Sequence, residues 1–142
     1  MDDKITPHGK AIASLPLHPR LGHMLITAGS PAITLSALLN EQDPLTRSAP
    51  CDLTLRLDLI KNAQDFVKRH SFGYHSNVLG RIKQEIARLR QMVNHIKRDL
   101  SPAQMVALAY PDRIGKRRLG ESPRYLLSSG KGAMFLSADA LG

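Results

Sequence analysis

Between residues 80 and 100 the chain reads GRIKQEIARLRQMVNHIKRDL, and within it Ile82, Ile86, Leu89, Val93, Ile96 and Leu100 recur at alternating spacings of four and three. That is the apolar stripe of a helix packed on other helices, because 3.6 residues per turn return such positions to one side. The spacing predicts one continuous helix, with Arg81, Lys83, Arg88, Arg90, Lys97 and Arg98 on its opposite side. Glu85 lies four residues after Arg81 and three before Arg88, within reach of both. The basic side therefore reads either as a solvated surface or as a contact for a polyanion.

Such a helix needs partners, and the rest of the chain supplies them. Thr6-Pro7 spells an N-cap with proline at the first helical position, where its missing N–H costs nothing. A short helix to about Ser14 follows. Pro19 opens a second helix, with Leu21, Met24, Leu25 and Ala28 on one apolar face and Gly29 as its stop. Ser30-Pro31 opens a third, with Ala32, Leu35, Leu38 and Leu39 inward, ending near Asn40. After the polar, proline-punctuated loop NEQDPLTRSAPC, Asp52 caps a fourth helix on which Leu53, Leu57, Ile60 and Val67 share a face. RHSFGYHS reads as a connector.

Ser101-Pro102-Ala103-Gln104 is a capping-box spelling that opens a helix through Met105, Leu108 and Ala109. Pro111 then predicts a kink or restart, because it removes a helical hydrogen bond and disfavours a helical Tyr110. On that restarted turn Arg113, Lys116 and Arg117 share a face, and Asp112 in its first turn pairs within the fold. Near the end, RYLLSSGKGAMFL shows two short apolar runs around Ser-Gly-Lys-Gly, the signal of a β-hairpin. The fold class is therefore mainly α, a helical bundle with a short C-terminal β-hairpin.

Composition agrees. Hydrophobic residues make up 42% of the 142-residue chain but aromatics only 4%, with no Trp, which suits packed helices better than a β-sandwich. Lys plus Arg number 20 against 12 Asp plus Glu, a formal charge of +8. That excess favours a polyanionic partner without identifying it. The single cysteine, Cys51, excludes an internal disulfide framework and a multi-cysteine zinc site. With no long apolar run and no apolar stretch at the start, the reading is a cytoplasmic chain without membrane span or signal peptide.

Catalytic signatures are missing from the sequence. No G-x-x-x-x-G-K-[ST] loop is present to cradle a triphosphate, and Gly-Lys-Gly at 130–132 falls in the hairpin turn. The six histidines, His8, His18, His23, His70, His75 and His95, show no recognised ligand spacing, so no metal is expected. Cys51 lies in a loop with no base nearby in sequence. The chain reads as a binding or mechanical module.

Two signatures carry a family resemblance. ITPHGKAIASLPLHPRLGHMLITAG, residues 5–29, resembles the segment of DEAH-box helicases where the winged-helix domain meets the helical helicase-associated, or ratchet, domain. Thr6, Pro7, Gly9, Leu15, Pro16, Pro19, Leu21, Met24 and Leu25 match that pattern. LLNEQDPL, DLTLRLDLI, ALAYPDRIGKRR and RYLLSSGKGAMFL resemble stretches of the bacterial HrpB branch, so that the likeness covers about residues 4–141.

The resemblance implies residues 1–18 as the end of the winged-helix region, 19–100 as the ratchet domain, and 101–142 as a kinked helix and hairpin leading into a further C-terminal region. It implies a piece of an ATP-dependent helicase whose two RecA-like lobes lie elsewhere, so that ATP and magnesium belong to the parent alone and no cofactor or catalytic residue is expected in this chain. The expected partners are single-stranded RNA or DNA and the RecA-like lobes, with no membrane. The candidate strand contacts are Arg81, Arg88 and Arg90 on the long helix and Arg113, Lys116, Arg117 and Arg118 near the end. Aromatics are few, so electrostatic contact should dominate over stacking. The rival reading is a structural or protein-interaction module that docks on the lobes or a partner without touching nucleic acid.

Overall fold

A computed structural model describes residues 4–120, 123–135 and 139. The helices opening at Pro7, Pro19, Leu53 and Pro102 start where the sequence signals place them, whereas the long helix begins at Ser76, inside the expected connector. Thr6 accepts from the Gly9 N–H at 3.0 Å at the head of α1 (Pro7–Ala13), and the His18 ring accepts from the Arg20 N–H at 3.3 Å at the head of α2 (Pro19–Ala28). A 3-10 turn, Ser30–Ala32, leads into α3 (Ile33–Leu39), so the third helix begins one tight turn later than the Ser-Pro signal alone indicates. Asp52 caps α4 (Leu53–Lys61) through the Thr54 N–H at 2.9 Å.

The expected fourth helix is two helices. At Asn62 the backbone turns extended, φ −154° and ψ 94°, and its side chain accepts from Asp65 N–H at 3.1 Å to cap α5 (Ala63–Arg69). Asparagine offers the backbone this local bond in place of a helical one. Phe66, seven residues after the buried Leu59, is fully buried while Val67 is 53% exposed, correcting the expectation that Val67 shares the face of Leu53, Leu57 and Ile60.

The long helix is shorter than its apolar stripe. α6 (Ser76–Met92) buries Ile82, Ile86 and Leu89, and Val93 after it is buried in extended conformation. Beyond that point the chain pairs with the end of α2: Ser30 N–H donates to the His95 carbonyl at 2.9 Å, and the N–H groups of Lys97 and Arg98 both reach the Ala28 carbonyl at 3.1 Å. These bonds satisfy a helix-end carbonyl that α2 leaves open, and this backbone pairing wins over further helix. Ile96 is consequently 70% exposed, and Leu100 packs on the core from outside any helix.

Ser101 and Gln104 form the reciprocal capping box at the head of α7 (Pro102–Ala109), with bonds of 3.3 and 2.9 Å. Tyr110 leaves the helix, Pro111–Arg113 makes a 3-10 turn, and the chain then runs straight into strand β1 (Gly115–Arg117). β2 (Arg124–Leu127) and β3 (Gly132–Met134) form the expected hairpin, its turn eased by Gly130 at φ 82°. The sheet has three strands, not two, in antiparallel order β1-β2-β3. Lys116 and Arg117 therefore occupy a strand, whose period of two sends them to opposite faces, and the expectation that they share a helical face with Arg113 is corrected.

Two apolar clusters hold the helices. The larger joins Leu21, Met24, Leu25 and Ala28 of α2, Leu35 and Leu38 of α3, Ile82, Ile86 and Leu89 of α6, and Met105 and Ala109 of α7. At roughly 1.5–3 kcal/mol for each large side chain taken from water, this cluster is the principal stabilising term. The smaller gathers Leu45, Leu59, Phe66 and Leu79 beneath the loop that precedes α4. Among the described residues no helix is long and apolar enough to cross a membrane.

Candidate nucleic-acid interface

The expected contact residues divide into bound and free cations. On α6 the guanidinium of Arg88 grips Glu85 with two bonds of 2.9 and 2.8 Å, and this partner raises the Arg88 pKa from its ordinary value. Arg81 reaches instead to Glu41, at 3.1 Å. At about 100° per residue, Arg81 and Arg88 lie on one flank of the buried stripe, whereas Arg90 lies with Lys83 on the other. The helix thus presents no single basic face. Arg90 is exposed and makes no ion pair among the described residues.

Arg113 belongs to a different structure. Its guanidinium sits 5.1 Å from the centre of the Tyr110 ring, and Arg20 of α2 sits 5.4 Å from the same centre. Arg20 also pairs with Asp112 and donates to the Ala109 carbonyl at 3.3 Å. The bond from Arg20, helped by the nearby charge of Arg113, holds the Asp112 carboxyl below the ordinary carboxylate range. This knot fastens the turn after α7 to the bundle, and Ser128, whose hydroxyl donates to the Pro111 carbonyl, fastens the sheet to the turn.

The sheet carries the remaining cations. Gly115 pairs with Leu127, Lys116 with Leu126, and Arg117 with Tyr125. The ladder continues one step, since the Arg118 N–H donates to the Arg124 carbonyl at 2.8 Å. Opposed residues share a face, so Lys116, Arg118, Arg124, Leu126 and Met134 lie on one side, and Arg117, Tyr125, Leu127 and Ala133 on the other. The second side is partly covered by Phe135, whose ring meets Tyr125 edge-on at 5.8 Å. The first is open: Leu126 is 43% and Met134 57% exposed, and its three cations form no ion pair among the described residues.

Sequence reasoning missed Arg124. Its place at the head of the apolar run Tyr-Leu-Leu was visible, but the facing residue Arg118 becomes so only once β1 is known to be a strand. Arg20, far away in sequence, was missed as the partner of Asp112. The histidines make local contacts: His8 Nε2 and His23 Nδ1 stand 2.9 Å apart between α1 and α2, and no group of three metal-ligating side chains occurs among the described residues. Burial, with the Asp139 carboxylate adding to it, pushes the Cys51 thiol up, away from a reactive thiolate.

A helical body joined to a small antiparallel sheet in this way is similar to part of a DExH-box NTPase. The solved structure is that of E. coli DExH-box NTPase HrpB, which aligns over 99% of this chain with a TM-score of 0.66 and 26% sequence identity. The chain spans only 16% of the length of that protein. No family model and no curated protein matches the chain.

Proposed function

We propose that this chain is an accessory, strand-binding and coupling region of an ATP-dependent RNA helicase, one that contributes cationic contacts to a single strand while the ATPase lobes lie in other parts of the protein. The similarity to a segment of a DExH-box NTPase supports the helicase setting. The observation that carries strand binding is the pair Lys116 and Arg118, exposed on the open face of the sheet and unneutralised among the described residues, where Arg81 and Arg88 spend their charge on Glu41 and Glu85. Cations free of acidic partners release counterions when they meet phosphates, which is the driving force for non-specific strand binding. ATP and magnesium belong, in this reading, to the lobes alone.

Fluorescence anisotropy with a labelled single-stranded oligonucleotide at several salt concentrations tests the proposal. Log affinity should fall against log salt with a slope near −0.7 per phosphate engaged. Replacing Lys116 and Arg118 together by alanine should lower both affinity and slope. Absence of binding by the unaltered chain even at low salt would refute strand contact.

A second reading, docking on helicase lobes or another protein, is favoured by one feature. An apolar groove of about 400 Å³ runs between Leu53 and Thr54 of α4 and Ala103, Val106 and Tyr110 at α7, with Ile114 exposed at its rim. Light scattering that shows self-association, together with no oligonucleotide binding, would favour docking over strand contact.

A further inference from the structure

We infer that Arg118 and Arg124 form a phosphate clamp on the open face of the sheet, with Lys116 as a flanking contact and Leu126 and Met134 as the apolar floor beneath the adjoining sugar and base. The inference rests on the strand-binding reading and narrows it to one face and one pair of residues, including a residue outside the 116–118 run.

Register is the first argument. Lys116 opposes Leu126, and one full step along the same ladder Arg118 opposes Arg124 through the 2.8 Å bond between their backbones. Directly opposed residues in a hydrogen-bonded antiparallel pair have Cα atoms about 5.5 Å apart, so two guanidinium groups rise side by side from one face. Like charges placed directly opposite destabilise a sheet. An anion between them removes that repulsion, and a phosphodiester offers two oxygens for two planar forks of donors.

Surroundings supply the second argument. Arg118, Arg124, Gly132 and Met134 border one shallow hollow of about 230 Å³, together with Tyr125 and Ala133 of the same two strands. Gly132 opposes Leu126 and carries no side chain, and an added Cβ there would meet nothing within 4 Å, so the floor is open to a ligand lying across β2 and β3. No carboxylate among the described residues pairs with any of the three cations. The complement of this face is an extended polyanion with apolar surface along it, which is a single-stranded nucleic acid. Contacts to phosphate and sugar, with Tyr125 at the edge of the hollow, read no base edge, so recognition should tolerate any base.

Arg117 provides an internal control, because it neighbours Arg118 in sequence but lies on the other face with Tyr125. Single alanine variants at Lys116, Arg117, Arg118 and Arg124 should be compared by anisotropy with a labelled oligothymidylate. Arg118→Ala and Arg124→Ala should each weaken binding by about five- to tenfold and flatten the salt slope by about 0.7, one phosphate contact. Arg117→Ala should change affinity less than twofold. Arg124→Lys should keep the slope but recover only part of the affinity, because lysine lacks the fork.

Since the opposed charges repel in the free protein, Arg124→Ala should melt no lower than the unaltered chain. A lower melting temperature would make Arg124 a structural residue and overturn the clamp. Strong oligonucleotide binding that is insensitive to Arg124→Ala, or equally sensitive to Arg117→Ala, would sink the clamp while leaving strand binding intact. Poly-glutamate bound as tightly as the oligonucleotide would overturn it in favour of an acidic protein partner. No oligonucleotide binding by the unaltered chain would remove the clamp and the wider reading together.

Discussion

Arg20 and Asp112, 92 residues apart in sequence, close an ion pair that ties the second helix to the turn leading into the sheet. The same guanidinium lies against Tyr110, which Arg113 contacts as well. Because the pair holds Asp112 below the ordinary carboxylate range, its contribution to stability is complete above the unfolded-state value and is lost as pH falls through the depressed folded-state value. Asp112→Asn should therefore lower the melting temperature at neutral pH. Melting curves taken from pH 7 into strong acid should show the gap between the two proteins closing. A gap independent of pH would mean that the carboxylate charge contributes nothing.

A second pair, Asp43 and Arg56, organises the loop over the smaller core. Arg56 is buried, donates to Asp43 through Nε at 3.1 Å and Nη2 at 2.7 Å, and also bonds the carbonyls of Pro50 and Asp52. Partial burial alone would push the Asp43 carboxyl up, but bonds from Arg56 and from the Leu45 N–H outweigh it and hold the net value below the ordinary range. Asp43→Ala leaves a buried guanidinium short of its acceptor and should cost about 2 kcal/mol, the scale of a hydrogen bond to a charged group. Urea unfolding measures this directly, and the difference should shrink in acid as Asp43 protonates.

The helix starts were legible because their signals are local. Thr6-Pro7, Asp52 and the Ser101 to Gln104 box each act within one turn, and each cap is made as its spelling indicates. Helix ends were less legible, because distant backbone decides them: nothing near Val93 announces that Gly29 will pair with Ile96. The proposed binding face was partly legible. Lys116 and Arg118 were singled out, but dividing them from Arg117 and joining them to Arg124 required a strand register that a three-residue strand does not disclose.

Residues 66 and 67 convert the helix break at Asn62 into a measurement. The expected face would bury Val67 with Leu57 and Ile60, but Phe66 is the residue that faces the core, completely buried against Leu59 and Leu79 in the smaller cluster. Phe66→Ala should cost about 3–5 kcal/mol in urea unfolding. Val67→Ala should stay within about 0.5 kcal/mol, as at other exposed sites. Comparable losses at both positions would overturn this division between a buried Phe66 and an exposed Val67.

Gly29 is the point where the end of α2 and the chain after α6 touch. Its φ of 80° with ψ of −149° belongs to a region that residues with a Cβ rarely enter. An added Cβ would also press on the His95 carbonyl and come within 2.8 Å of the Lys97 nitrogen, both backbone atoms that cannot rotate away. Gly29→Ala should therefore destabilise the fold by more than about 1 kcal/mol, the scale of a residue forced into a sparsely populated conformation. Loss should be local before it is global. The amides of Ser30, Lys97 and Arg98, whose bonds bridge this contact, should exchange with solvent faster, while those in the middle of α6 keep their protection until global unfolding. Uniform acceleration across α6 would instead mean that the contact at Gly29 holds the long helix in place.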